Sequence, residues 1–242
     1  MTIQKQELPP GWANDDLTAF IQLATDNIKA TFHNKKKAFN VLKDIDSYFL
    51  EITDNLLNAP DFLASLFLLR THSTYRAACR LSLSSQVSET FILLRNCIEY
   101  PLYSLHINRN PDVSEKWINR HKDEESLKTM RNEFKYGRVI KTLESIDPKI
   151  CRTAKLLYER AIDFGAHPNE RSITSSLKVI EKGDITEFKQ IYLAQDSKQL
   201  LNGLKSTAQA GLCALYIYRH IFKERFDIIG LTQKMNRYRA TL

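Results

Sequence analysis

Apolar side chains recur every three or four residues from Val87 to about His106. An α-helix brings such positions onto one face because it turns once in about 3.6 residues, whereas a strand repeats every two. The apolar face consists of Val87, Phe91, Leu94, Ile98, Leu102 and Leu105. Pro101 lies within the pattern and should kink the helix near Cys97, because proline removes one backbone hydrogen bond. A helix with one apolar face must bury it against other elements, so this segment predicts a helical core.

The rest of the chain shows the same helical pattern in several segments. They span about residues 15–57, with an interruption near 33–37, and then about 62–81, 148–164 and 197–226. Asp147 suits the N-cap of the helix at 148–164, and Gly165 suits the position just past its end. The chain contains only seven glycines and seven prolines, which argues against a turn-rich all-β fold.

We therefore predict a mostly α-helical bundle with a small β-hairpin near residues 173–193. The hairpin is expected because short apolar stretches flank a Lys-Gly-Asp sequence at residues 182–184, which suits a turn. Residues 1–13 should form an irregular N-terminal arm, since the Pro-Pro-Gly sequence at residues 9–11 disfavours a helix. Residues 14–242 should form a single helical domain.

Charge and cysteine content restrict the class of function. The net charge is +7 and the pI is about 9.1, values that suit an acidic partner such as RNA. The N-terminus shows no apolar signal segment and no apolar run is long enough to span a bilayer, so we expect a cytoplasmic protein without a membrane partner. The four cysteines form no CxxC pair, so we expect reduced thiols among core residues. They are Cys79, Cys97, Cys151 and Cys213.

The sequence lacks the common motifs for metal and nucleotide binding. It contains no HExxH or ExxH pair for a metal, and no GxGxxG or GxxxxGK[ST] loop for a nucleotide. We therefore expect no metal site and no cofactor.

Arg160 and His167 are separated by six residues near the end of the predicted helix 148–164. In these two residues and in its helical pattern, the chain resembles the HEPN superfamily. The signature of that superfamily is an Arg followed by a His after four to six residues, carried on a small helical bundle. Many members are metal-independent ribonucleases of toxin–antitoxin and phage-defence systems, and they usually act as homodimers that bring two motifs together.

The resemblance implies a catalytic role for both residues. His167 would act as general acid and base at a ribose 2′-hydroxyl, since an imidazole titrates near neutral pH. Arg160 would stabilise charge on the phosphate being cleaved, since its guanidinium is a permanently charged planar donor. Gly165 and Pro168 bracket His167, so the imidazole should lie past the end of the helix that carries Arg160.

A polar stripe lies beside the apolar face of the helix at 87–106. It comprises Ser88, Arg95, Glu99 and His106. In one interpretation, Arg95 joins Arg76 and Arg80 of the preceding helix to bind a phosphate or carboxylate. In the other, Arg95 and Glu99 form a structural ion pair at the edge of the core. If that pair is buried, loss of Glu99 alone should cost about 3–5 kcal/mol.

The leading functional hypothesis is a HEPN-like, metal-independent protein of a bacterial defence or toxin type that binds or cleaves RNA as a homodimer. The alternative is a non-catalytic helical module that associates with itself or with a protein partner. A third interpretation is a small-molecule sensor that uses the Arg95–Glu99 region as its pocket.

Overall fold

The computed structural model describes residues 8–56 and 62–238. The five longest helices in these ranges are α1 (Asp16–Asn34), α2 (Lys36–Asp54), α3 (Phe62–Leu83), α4 (Val87–Arg109) and α10 (Lys198–Arg219). The shorter helices are α5 (Pro111–Ile118), α6 (Glu124–Glu133), α7 (Tyr136–Ile146), α8 (Pro148–Ala161), α9 (Glu170–Thr174), α11 (Lys223–Ile228) and α12 (Leu231–Asn236). The predicted mostly α-helical fold is therefore confirmed.

The predicted β-hairpin is also present. Strand β1 (Leu177–Lys182) pairs antiparallel with β2 (Ile185–Gln190), and Lys182 lies opposite Ile185 across a two-residue turn. Gly183 has a φ of 60° in that turn, a backbone conformation that glycine adopts without steric cost.

The core is organised around α4 and α10. Helix α4 packs against α3, α7, α8 and α10, and α10 also packs against α2, α3 and α8. Every residue of the predicted apolar face of α4 is buried, and the helix continues through Pro101. Helix α10 is buried along most of its length because it has neighbours on several sides.

Three predicted boundaries needed correction or refinement. The interruption between the first two helices falls at Lys35, inside the predicted interval. The helix that starts at Pro148 ends at Ala161, and a π segment (Ile162–Ala166) follows it. Gly165 was predicted to lie just past the end of the helix, but it lies within this wider π turn. The last long helix ends at Arg219 and not near 226. The chain turns there because Phe222 and Phe226 must pack back into the core, where both are buried.

The predicted irregular arm at residues 1–13 is described only from residue 8 onward. Within the described part, the indole Nε1 of Trp12 donates a hydrogen bond of 2.9 Å to Oε1 of Gln22, which attaches the arm to α1. Among the described residues, no helix has both the length and the apolar content needed to cross a membrane.

Candidate functional site

A cavity of about 460 Å³ opens between α4, α8 and α10. It is lined by Val87, Ser88, Phe91, Arg160, Phe164, Ser175, Gln199, Asn202, Lys205 and Ser206. One wall is apolar and the other carries hydroxyl, amide and cationic groups. This volume and mixed lining are typical of sites for small ligands or for one unit of a polymer.

Arg160 presents its guanidinium to this cavity from the last turn of α8. Its Nη1 donates to Oε1 of Gln209 at 2.9 Å and to Oγ of Ser206 at 3.3 Å. Both acceptors are neutral, and no ion pair joins Arg160 to any carboxylate among the described residues. The charge of Arg160 is therefore held in place without being neutralised, as expected for an arginine that binds an anion.

The polar wall beside Arg160 comes from α10, and the sequence analysis did not identify it. Gln199, Asn202 and Ser206 line the cavity, and Gln209, which accepts from Arg160, continues the same row, with spacings of three, four and three positions. This spacing places them on one face of α10, a polar interruption in a helix that is otherwise largely apolar. A polar face on a buried helix is the sequence signal that could have located the cavity.

Ser175 closes one side of the cavity. Its backbone carbonyl accepts a hydrogen bond of 3.0 Å from Nε2 of Gln199, which joins the chain before β1 to α10. Its hydroxyl oxygen is shielded from solvent and has no hydrogen-bond partner in the described chain. Buried hydroxyls are nearly always paired in folded proteins, so this oxygen is an unsatisfied polar group beside the cavity.

A close backbone approach shapes the apolar wall. Gly165 lies so near α4 that a Cβ at this position would be 2.1 Å from the carbonyl oxygen of Ser88. This approach places the ring of Phe164 5.5 Å from that of Phe91, centroid to centroid. Phe164 remains 37% exposed, so the cavity has an accessible aromatic surface near its cationic side.

His167 lies past the end of α8, as the bracketing Gly and Pro predicted. It follows the π segment in an extended conformation and its side chain is exposed. Its Nδ1 is 3.1 Å from the carbonyl oxygen of Pro168, so a proton on Nδ1 would leave Nε2 as the basic nitrogen of the neutral ring. His167 is not among the described residues that line the cavity, so one chain does not bring it into the same cavity as Arg160.

Arg95 and Glu99 form an ion pair within α4. Nε of Arg95 donates to Oε1 of Glu99 at 2.9 Å, and the hydroxyl of Tyr158 donates to the same oxygen at 3.3 Å. The guanidinium also lies 5.4 Å from the centre of the Tyr158 ring, and its Nη1 reaches the carbonyl oxygen of Ala166 at 3.5 Å. Burial lowers the pKa of Arg95, but the bond to Glu99 outweighs it and leaves the pKa raised. This arrangement connects α4 to α8 and to the residue before His167.

Glu99→Gln should lower the free energy of unfolding by about 1–2 kcal/mol, less than expected for a fully buried pair. The side chains of Arg95 and Glu99 are 32% and 22% exposed, so water solvates part of the charge left on Arg95. Urea unfolding followed by circular dichroism measures the change. Glu159→Gln, at an exposed position on α8, is the control and should have almost no effect. A loss of 3 kcal/mol or more would contradict this partial solvation.

Arg76 does not join Arg95 in a shared anion site. Arg76 makes two hydrogen bonds, of 2.7 and 3.0 Å, to the carboxylate of Asp46 on α2, and His72 lies 2.6 Å from the same carboxylate. Arg80 is exposed, and its role in anion binding stays a prediction. The sequence interpretation was wrong for Arg76 because its side chain projects toward α2, where Asp46 pairs with it.

His106, the last member of the polar stripe, belongs to a different cluster. Its Nδ1 is 2.7 Å from Oγ1 of Thr142, and its Nε2 is 3.5 Å from Glu133, which also pairs with Lys116 and Arg138. Burial is the main cause that lowers the pKa of His106. This cluster fastens α6 and α7 to α4 and does not contribute to the cavity.

The cysteines offer no reactive thiolate. Cys97, Cys151 and Cys213 are buried, and burial raises their pKa values. Burial also raises the pKa of Cys79 to about 12. The part of the chain that the structure describes contains no group of three or more His, Cys, Asp or Glu side chains placed around one metal position.

Comparison with known proteins found no match to this chain among protein-family models, curated proteins or solved structures.

Proposed function

We propose that this chain binds RNA at the cavity between α4, α8 and α10 and cleaves it without a metal ion, with Arg160 and His167 as the reacting pair. The observation that carries the proposal is the guanidinium of Arg160, which is positioned in an open cavity by two neutral acceptors. An arginine in an internal ion pair has its charge matched already, whereas this one has the charge available for a phosphate.

Two further features of the cavity suit a nucleotide. Lys205 adds a second, exposed cation to the polar wall, and it can contact the same or a neighbouring phosphate. Phe164 provides a partly exposed ring on the opposite wall, and aromatic rings stack on nucleobases with little sequence preference. The expected binding is therefore independent of base sequence and weakens as salt increases.

The proposed reaction uses His167 as the proton carrier. Nε2 accepts the proton of a ribose 2′-hydroxyl, the 2′ oxygen attacks the adjacent phosphorus, and the bond from phosphorus to the 5′ oxygen breaks. The products are a 2′,3′-cyclic phosphate and a 5′-hydroxyl, and the 5′ oxygen takes the proton back from the imidazolium. Arg160 stabilises the charge that develops on the phosphate oxygens.

The exposed position of His167 suits a site assembled from two chains. Because His167 lies outside the cavity of its own chain, the proposal requires that a second copy bring His167 close to the first chain's Arg160. This arrangement matches the homodimer that the resemblance to the HEPN superfamily implies. A monomer at the assay concentration, measured by light scattering, would contradict the two-chain site.

His167→Ala should reduce cleavage of single-stranded RNA in EDTA by at least about a hundredfold and leave RNA affinity nearly unchanged, because the imidazole moves the proton. Arg160→Gln should weaken both cleavage and binding, because it removes the charge that meets the phosphate. Gel electrophoresis measures cleavage, fluorescence anisotropy measures affinity, and mass spectrometry identifies the cyclic phosphate.

The matched control is Lys155→Gln, which removes one positive charge from a surface ion pair with Glu144 outside the cavity. It should cleave and bind RNA like the unmodified chain. If the unmodified chain leaves RNA intact, or His167→Ala cleaves it equally well, the catalytic role of His167 is wrong.

A non-catalytic helical module that associates with itself or a partner is the second candidate, and the hairpin favours it. Val179 and Phe188 lie directly opposite each other in the register and are 54% and 65% exposed, so they form an apolar patch on one face of the hairpin. A dimer that neither binds nor cleaves RNA would support this function over the ribonuclease.

A further inference from the structure

We propose that a second cavity, formed by the start of α8, the end of α10 and helix α12, binds a phosphate group. Its volume is about 440 Å³, enough for a small phosphorylated molecule or part of an RNA backbone. The cavity is lined by Asp147, Lys149, Ile150, Arg152, Thr153, Tyr216, Arg219, Thr232 and Asn236. It shares no lining residue with the cavity of Arg160.

Three cations converge on this cavity. Lys149 and Arg152 come from the first two turns of α8, and Arg219 is the last residue of α10. None of the three forms an ion pair within the described chain, although its other arginines and lysines form many. Like charges that converge without forming ion pairs favour the binding of an anion.

Asp147, the only carboxylate among the described residues of the lining, already has hydrogen-bond partners within the protein. Its Oδ1 accepts from the backbone N–H groups of Lys149 and Ile150, and so caps α8. Its Oδ2 lies 3.2 Å from Nε2 of His220. These bonds hold the carboxylate of Asp147 in place, and its single negative charge against three cations leaves the described lining with a positive excess.

Two polar atoms of the lining residues lack the partners that buried polar atoms normally have. Nε of Arg219 and Oγ1 of Thr232 are both shielded from solvent, and neither makes a hydrogen bond with the described residues. Most buried polar atoms in folded proteins are paired. Both atoms belong to residues that line the cavity, so the protein leaves polar groups unsatisfied directly beside the three cations.

Phosphate fits these donors better than a carboxylate does. A phosphate presents three or more acceptor oxygens in different directions, whereas a carboxylate presents two in one plane. Two arginines, a lysine and a threonine hydroxyl surround the cavity from three helices, so a tetrahedral acceptor can contact several of them at once. The phosphate can belong to a free small molecule or to an RNA backbone.

Titration with sodium pyrophosphate at constant ionic strength, followed by ¹⁵N amide NMR, should give saturable shifts at residues 147–153 and 230–236. Arg152→Gln should raise the apparent Kd by about tenfold, because one charge-assisted hydrogen bond is lost. Arg219→Gln should do the same. Arg152 is exposed, so its variant keeps the test informative even if Arg219→Gln fails to fold.

Lys155→Gln is the matched control, since it removes one positive charge from the same helix outside the cavity, where Lys155 pairs with Glu144. It should leave the Kd unchanged, and so should Arg160→Gln. If a single-stranded RNA displaces pyrophosphate and shifts the same amides, the phosphate that binds here belongs to an RNA backbone. If the RNA does not displace pyrophosphate, the phosphate belongs to a free molecule. Shifts that do not saturate, or an equal loss of affinity in Lys155→Gln, would overturn the proposal.

Discussion

Gly211→Ala should lower the free energy of unfolding by about 3 kcal/mol or more, because α10 crosses α2 and α3 with no room for a methyl group. A Cβ at Gly211 would lie 2.4 Å from Cε2 of Tyr75 and 2.9 Å from Cγ2 of Ile45. Both neighbours are 0% exposed, so neither can move into solvent. The hydroxyl of Tyr75 also donates to the carbonyl oxygen of Leu42 at 3.0 Å, and a displaced ring would lose that bond.

Urea unfolding followed by circular dichroism measures this loss. The matched control is Gly137→Ala in α7, where a Cβ meets no atom within 4 Å. That substitution should be neutral or raise stability by about 0.5–1 kcal/mol, because alanine favours helix over glycine. Equal stability of Gly211→Ala and the unmodified chain would show that the contact of α10 with α2 and α3 is looser than the structure indicates.

Gly165→Ala should cost at least about 3 kcal/mol and also weaken ligand binding in the cavity of Arg160. The added Cβ would lie 2.1 Å from the carbonyl oxygen and 3.0 Å from the carbonyl carbon of Ser88. Both atoms belong to the backbone of α4, so relief requires the π segment to move away from that helix. Such a shift moves the ring of Phe164 away from that of Phe91 and so opens a gap in the apolar wall of the cavity.

The measurement is unfolding in urea together with RNA affinity by fluorescence anisotropy. Phe164→Leu supplies the comparison, because it alters the same wall without forcing the backbone apart. A Gly165→Ala protein as stable as the unmodified chain would contradict the close approach. A destabilised protein with unchanged RNA affinity would instead show that the π segment does not contribute to RNA binding.

These outcomes also connect the fold to the proposed function. Gly165 lies between Arg160, which faces the cavity, and His167, which lies outside it. The π segment therefore determines how far apart the side chains of Arg160 and His167 lie and how they are oriented. The number of residues between them does not determine this by itself. A substitution in that segment should therefore lower the rate of RNA cleavage while the helices on either side stay folded.

The sequence by itself determined the features that depend on local interactions. The apolar repeat of α4 predicted its buried face because helical geometry alone decides which side chains share a face. Asp147 was identified as the N-cap of α8 because a carboxylate two or three residues before free N–H groups can bind them at once, and it does so at 3.0–3.1 Å. The hairpin around Gly183 followed from turn chemistry in the same way.

Only the tertiary structure decided which side chains from different helices meet. The sequence placed Arg76 on a helix beside Arg95, yet Arg76 pairs with Asp46, since the packing of α3 between α2 and α4 directs it to α2. The cavity of Arg160 depends on the approach of α10, whose Ser206 and Gln209 lie 46 and 49 positions further along the chain. Local propensity carries no information about that approach, because it results from how apolar faces on distant helices pack together.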